Sequence, residues 1–230
     1  TILNARRPAA VALRHVIGHL IPDTVFGALD RILPDRVPAE GAGSLCNFQV
    51  TLRPHDGGRA TEVLTFNSGG TGARPRLDGL NATAFPSGVM TMPVEATEHA
   101  GPIVIHRKEL RPDSGGAGRL RGGLGQCMEV GPREGHAMEF RAQFDRMKHP
   151  PRGRHGGQDG APTVVETSDG TAYPAKARFR VPAGQTVRLA FPGGGGMGPA
   201  RERDAQAVAR DVRLGYVSEA AARRDYGWEG

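Results

Sequence analysis

The sequence predicts an α+β protein in which a mainly antiparallel β core, sandwich- or barrel-like, is flanked by N- and C-terminal helices. Three observations carry this. Apolar residues recur with a 3.6-residue period near both ends. Between residues 47 and 191 they alternate with a period of two. No segment of helix length separates the successive strand candidates, so the crossovers that parallel pairing needs are missing.

At the start, Pro8 suits a first helical turn, and Leu13, Val16, Ile17 and Leu20 then share one face, giving a helix over about 8–21. Asp23 or Thr24 caps a second helix carrying Val25, Phe26, Leu29, Ile32 and Leu33, which Pro34 and Pro38 close. Phe48, Val50 and Leu52, then Leu64 and Phe66 across the turn at Asp56, Gly57 and Gly58, spell a hairpin. Further strands are expected at 103–108, 126–130, 138–144 (Met138, Phe140, Ala142 and Phe144 inward), 163–167, 177–181 and 187–191. Asp204 caps a helix that Gly215 stops, and Ser218 caps a last one. The expected organisation is a helical segment over 1–40 that continues from a missing N-terminal part, a Gly-rich β domain over 41–198, and helices over 199–230.

Composition narrows the class. Among 230 residues 34 are Gly and 18 are Pro, yet 38% are hydrophobic, enough for a packed core, and the glycines cluster between apolar runs. No apolar run approaches the 18 or so residues of a membrane helix. Cys46 and Cys127 lie far apart without a Cys-x-x-Cys partner, which points away from a disulfide scaffold or structural zinc site and towards a reducing, cytoplasmic setting. The net charge of +6 invites a nucleic-acid reading. The arginines are scattered, however, lysines are limited to Lys108, Lys148 and Lys176, and few aromatics are present for base stacking. No nucleic-acid or membrane partner is expected.

Short motifs lose their chemistry in context. Gly193 to Gly198 satisfies G-x-G-x-x-G, but the next helix begins only at Asp204 and no second strand of a βαβ unit follows. Ser114 in its Asp-Ser-Gly-Gly run has no base or orienting partner and reads as a Gly-rich turn. His15 and His19 have zincin spacing, yet Val16 stands where the general base belongs, so they read as surface or partner-facing histidines. His149 and His155 sit in a Pro- and Gly-rich basic loop without nearby carboxylates. The eight histidines compose no three-ligand set, so no metal is expected on this chain.

Longer strings carry more. The run from Asn67 to Gly88 (NSGGTGARPRLDGLNATAFPSG) followed by Pro93 to Glu95, the run from Glu109 to Gln126 (ELRPDSGGAGRLRGGLGQ), and Phe191 to Gly198 (FPGGGGMG) with the Asp204 helix and Ser218 to Gly227 together resemble the hydantoinase B/5-oxoprolinase family. The resemblance spans essentially the whole chain but matches only the C-terminal part of the longer family subunits. It implies an ATP-dependent ring opening of a cyclic amide (hydantoin, 5-oxoproline or a related lactam) shared by two subunits. ATP would sit on a partner A subunit of actin-like kinase fold, and a divalent metal on the missing N-terminal part of the B subunit, so partners are that A subunit and that N-terminal part, in a homo- or hetero-oligomer. Within this picture Arg74 is expected to face a phosphorylated or carboxylate-bearing species. Asp78 and Glu95 are expected to orient it or move protons, and Gly69, Gly70 and Gly72 to let backbone amides approach an anion. Asp78 and Gly79 also read as a plain turn. Asp78→Asn in the intact enzyme is then expected to lower turnover more than stability. A subunit of an acetone- or acetophenone-type carboxylase and a non-catalytic assembly domain remain the alternatives. Residues 1–230 by themselves are expected neither to hydrolyse ATP nor to open a lactam.

Overall fold

The architecture comes from a computed structural model, which describes residue 4 and residues 6–9, 15–43 and 45–230. Its element order is α1 (His15–Leu29), β1 (Phe48–Pro54), β2 (Thr61–Thr65), α2 (Val94–His99), β3 (Ile103–Leu110), β4 (Gln126–Pro132), β5 (His136–Gln143), β6 (Val164–Thr167), β7 (Lys176–Arg180), β8 (Val187–Ala190), α3 (Ala205–Arg213) and α4 (Glu219–Ala221). A π-helical turn, Ala222–Tyr226, follows α4. Among the described residues no helix is long and apolar enough to cross a membrane.

Alternating apolar residues build two four-stranded sheets, ordered β2-β1-β5-β7 and β3-β4-β8-β6. Every pairing is antiparallel. Phe48, Val50, Leu52, Met138 and Phe140 of the first sheet and Ile103, Met128, Val130, Val187 and Leu189 of the second share one buried cluster, so the fold is a sandwich and not a closed barrel. A row of rings, Phe48 on Phe140 and Phe140 on Phe179, reinforces the first sheet.

Two expectations near the N-terminus need correction. The break between two helices at residues 21–24 does not exist. One helix runs from His15 to Leu29 with Pro22 inside it, and Asp23 is buried in mid-helix instead of capping anything. Pro8 lies outside helix as well, and residues 10–14 of the expected first helix lie outside the described residues. The second correction is register: Val63 and Thr65 face the core and Leu64 faces solvent, because Val50 pairs with Val63 and Phe48 with Thr65. A slip of one residue turns a strand over, and a loop containing two adjacent glycines leaves that slip open from sequence. The caps at Asp204 and Ser218 form, with side-chain oxygens accepting from the Ala207 and Ala221 amides. The short helix α2 is an addition.

Beside the sandwich, the glycine clusters make a second body whose middle segment is a run of glycines. Residues 194–196 run through its middle, and each bonds two different segments. Gly194 donates to the Gly123 carbonyl and accepts from Gly116, Gly195 donates to Glu40 and accepts from Ala73, and Gly196 donates to Gln158 and accepts from Arg154. A β-strand would alternate between two neighbours; bonds leaving in several directions are what an extended helix of about three residues per turn produces. A Cβ on Gly194 would lie 1.9 Å from the Thr71 carbonyl oxygen, so chain-to-chain contact at this spacing excludes any side chain. This bundle, rather than a nucleotide cradle, explains the Gly193 to Gly198 run.

Candidate functional site

Where α1 crosses the glycine bundle, a cavity of about 90 Å³ opens. Gly70, Gly72 and Arg74 line it from one side, Asp23 of α1 from another, and Leu80 and Phe85 from the apolar rim. Phe26 of α1 stacks on Phe85 at 6.3 Å.

Asp23 owes its place to a polar stripe. His15, His19 and Asp23 recur every four residues, so they share a helical face, and in the folded chain that face turns inward while Ile17 and Val25 remain exposed. His19 is therefore buried and not a surface histidine, and burial, followed by the neighbouring His15, lowers its pKa. The Asp23 carboxylate accepts from Arg146 at 2.6 Å, and Arg146 also donates to Glu40 at 2.9 Å. Arg152 holds the other Glu40 oxygen at 2.7 Å. Burial pushes the Asp23 carboxyl up to about 6 against the pull of Arg146. Burial works on Glu40 in the same sense but loses to hydrogen bonds and charge from two arginines, which leave it below the usual range. Arg146 sits in the left-handed backbone region at φ 62, a strain of roughly 1–2 kcal/mol for a residue with a Cβ. Its bonds to two carboxylates hold it there.

These shifts give a pH prediction. An acid whose folded pKa lies above its unfolded value binds protons more tightly when folded, so its contribution to stability falls as pH rises from about 4 to about 6. Glu40 and His19 contribute in the opposite sense. Subtracting the stability profile of Asp23→Asn from that of the wild type therefore isolates a decline of up to about 3 kcal/mol across that window. Chemical denaturation at closely spaced pH values reads it; a flat difference would contradict the burial argument.

Asp78 stands behind Arg74. Its backbone carbonyl accepts from Arg74 Nε and Nη2 at 3.0 and 2.8 Å. Its carboxylate takes both ends of the Arg203 guanidinium, at 2.8 and 2.7 Å, and the Arg121 amide at 2.8 Å. Burial raises its pKa, but the Arg203 bonds and charge outweigh this and the net shift is downward. Arg203 continues to Asp211 of α3 at 2.6 Å, where Arg121 also arrives. A chain of ion pairs thus runs from Asp211 of α3 through Arg203 to the Asp78 carboxylate, and the Asp78 backbone carbonyl makes the last link to the arginine at the cavity.

The six residues singled out in the sequence therefore divide. Gly70, Gly72 and Arg74 meet at the cavity, and Asp78 positions Arg74 from behind. Gly69 packs against the Pro192 carbonyl. The Gly70 amide is spent on that same carbonyl at 2.9 Å, and Gly70 and Gly72 each approach a neighbouring carbonyl too closely for a Cβ. Glu95 is exposed on α2 and does not line the cavity. Sequence reasoning missed Asp23, Glu40 and Arg146; the four-residue recurrence of His15, His19 and Asp23 was the available signal. His155 also has a carboxylate partner, Asp30, at 3.1 Å. The Ser114 hydroxyl is committed to the Arg111 carbonyl and the Gly125 amide. Among the described residues no three His, Cys, Asp or Glu side chains gather as a metal-ligand group.

A glycine-walled cavity between α1 and the glycine bundle, with one arginine and one buried aspartate on its wall, is the candidate small-molecule site. The model of the family described as hydantoinase B/oxoprolinase matches residues 1–200, and the chain belongs to that family. It is 32% identical over 244 residues to the beta subunit of a caprolactamase from Pseudomonas jessenii, covering 99% of this chain and 41% of the relative. It is 30% identical over 238 residues to the B subunit of a putative D-/L-hydantoinase from Pseudomonas sp. (strain NS671), covering 99% of this chain and 39% of that protein. The crystal structure of the ATP-dependent caprolactamase from Pseudomonas jessenii superposes with a TM-score of 0.76 at 29% identity, over 87% of this chain and 37% of that one. Nucleotide-free acetone carboxylase shares the fold, with a TM-score of 0.70 at 22% identity over 83% of this chain and 30% of its own. The chain spans about two fifths of the length of the caprolactamase and hydantoinase relatives.

Proposed function

We propose that this chain is the C-terminal part of the B subunit of an ATP-dependent cyclic amide hydrolase that works with an ATP-binding A-type subunit. The observation that carries the reading is the match of 99% of the chain to a caprolactamase beta subunit, supported by the superposition on an ATP-dependent caprolactamase. Amide carbonyls are weak electrophiles and small unstrained lactams reclose readily, which is the chemical reason to couple ring opening to ATP. In this reading the A subunit phosphorylates the carbonyl oxygen. Water then adds to the carbonyl carbon, the C–N bond breaks with a proton passing to nitrogen to leave an acyl phosphate, and a second water releases the phosphate and the free carboxylate. This chain contributes the cavity in which Arg74 and Asp23 hold the ligand. In this reading a divalent metal is held by the N-terminal part of the B subunit.

The test is reconstitution. Residues 1–230 alone are expected to show no ATPase and no lactam or hydantoin hydrolysis; joined to the remaining part of the B subunit and the A subunit, they are expected to support both. Substrate-dependent turnover by residues 1–230 alone, measured as ADP and ring-opened product, would move the catalytic centre into this part.

A further inference from the structure

We infer that the cavity at one end of the sandwich, between the turns 133–135 and 182–185, binds hydrogen phosphate, with Arg133 and Arg180 pairing to its charged oxygens and the Gln185 amide oxygen accepting its hydroxyl. The site shares no lining residue with the cavity at α1 and stands independently of the cyclic-amide reading. Both turns carry the chain from one sheet to the other, 133–135 between β4 and β5 and 182–185 between β7 and β8. They and the strand ends beside them wall an open cavity of about 430 Å³. His106 reaches it from β3 as the extra residue of a β-bulge, for the pairing skips from Ile105 with Val130 to Arg107 with Glu129. A bulge re-aims a side chain. Gly131 leaves room for the ring, since a Cβ there would lie 3.1 Å from His106 Nε2.

Charge selects an anion. Arg133, Arg180 and three histidines, His55, His106 and His136, line the cavity against a single carboxylate, Glu134. Among the described residues neither the Arg133 nor the Arg180 guanidinium makes a hydrogen bond or ion pair. The neighbouring acids are already taken: Arg178 donates to both oxygens of Glu139, at 2.7 and 3.1 Å, and Glu129 accepts from the Thr186 hydroxyl and pairs with Arg188. Two unpaired guanidiniums on one wall suit an oxyanion of more than one negative charge. A proton then selects phosphate. Gln185 Nε2 donates to the Asp169 carboxylate at 3.0 Å, and because a carboxylate only accepts, this bond fixes the orientation of the amide. The other end of that amide, Oε1, is buried and has no partner among the described residues. Such an acceptor gains from an incoming O–H and is penalised by another bare oxygen. Hydrogen phosphate offers charged oxygens and one hydroxyl together, whereas sulfate has the same shape and charge but no proton to give. Water completes the shell in a cavity wider than the ion.

Isothermal titration of the chain at pH 7, with ionic strength held constant by sodium chloride, compares inorganic phosphate with sodium sulfate. The expected result is saturable binding of phosphate and binding of sulfate weaker by at least about tenfold, the usual effect of facing a buried acceptor with no donor. Arg133→Gln and Arg180→Gln should each weaken phosphate by about tenfold, as loss of a charge-assisted bond does. Gln185→Met should bring the two anions to the same affinity. Arg213→Gln, at the exposed end of α3, is the control and should change nothing. A melting curve shows whether each variant is folded; Arg133 and Arg180 are exposed, so their variants and the comparison of the two anions on the unaltered chain decide the matter if Gln185→Met does not fold. Absence of saturable phosphate binding, equal affinity for sulfate, or phosphate binding that is unchanged in both arginine variants overturns the inference.

Discussion

Gly194→Ala is expected to destabilise the fold by at least about 4–5 kcal/mol, more than overpacking usually costs. The new methyl group would stand 1.9 Å from the Thr71 carbonyl oxygen and 2.3 Å from its carbon. Neither neighbour can move alone, since the Thr71 carbonyl accepts from the Gly123 amide at 2.8 Å and the Gly194 amide donates to the Gly123 carbonyl at 2.9 Å. For a chain of this size the loss corresponds to a fall in melting temperature of roughly 10–20 °C. Gly18→Ala is the internal control. Gly18 lies inside α1 with open space where the Cβ would go, so alanine should stabilise there by up to about 1 kcal/mol through helix propensity. Thermal melts of the two variants check both signs. A mild effect at Gly194 would mean that the bundle is loosely packed.

Arg203→Met is expected to cost about 3–5 kcal/mol, the usual consequence of removing one partner from a buried ion pair. Asp211 is 1% exposed and would keep only Arg121, while Asp78 would lose both ends of its guanidinium partner. Arg210→Ala is the contrast, because Arg210 is exposed and 3.8 Å from Asp78, and its loss should cost under about 1 kcal/mol. Urea denaturation separates the two. The same network revises what Asp78→Asn is expected to do: stability falls along with any effect on turnover, since the carboxylate anchors α3 to the loop that presents Arg74. An Arg203→Met variant as stable as Arg210→Ala would show that Asp78 and Arg203 do not support Arg74.

The sandwich is legible in the sequence because period-two alternation depends on burial, and burial is local. Met138, Phe140, Ala142 and Phe144 announce an inward face whatever pairs beside them. The caps at Asp204 and Ser218 are legible for a similar reason, as each side chain bonds an amide three residues on. What escapes depends on contacts distant in sequence. Asp23 reads as a cap until Arg146, 123 residues later, gives its charge a buried partner. The register of β2 follows from which of two neighbouring residues the opposite sheet covers, and the flanking Leu64 is as apolar as Val63. In sequence the glycines look like amides free to meet an anion. In the structure much of that backbone is occupied by other backbone, a close chain-to-chain packing that no hydrophobic pattern can signal.

The central claim is that this chain serves hydrolysis of a cyclic amide, and the most direct measurement is product balance by the assembled A and B subunits in bicarbonate-depleted buffer. The expected result is that ATP with a cyclic amide yields ADP and ring-opened product in equal amounts, with no requirement for bicarbonate. Nucleotide turnover that demands bicarbonate and a ketone, and ignores every cyclic amide offered, would contradict it and place the chain in a carboxylase.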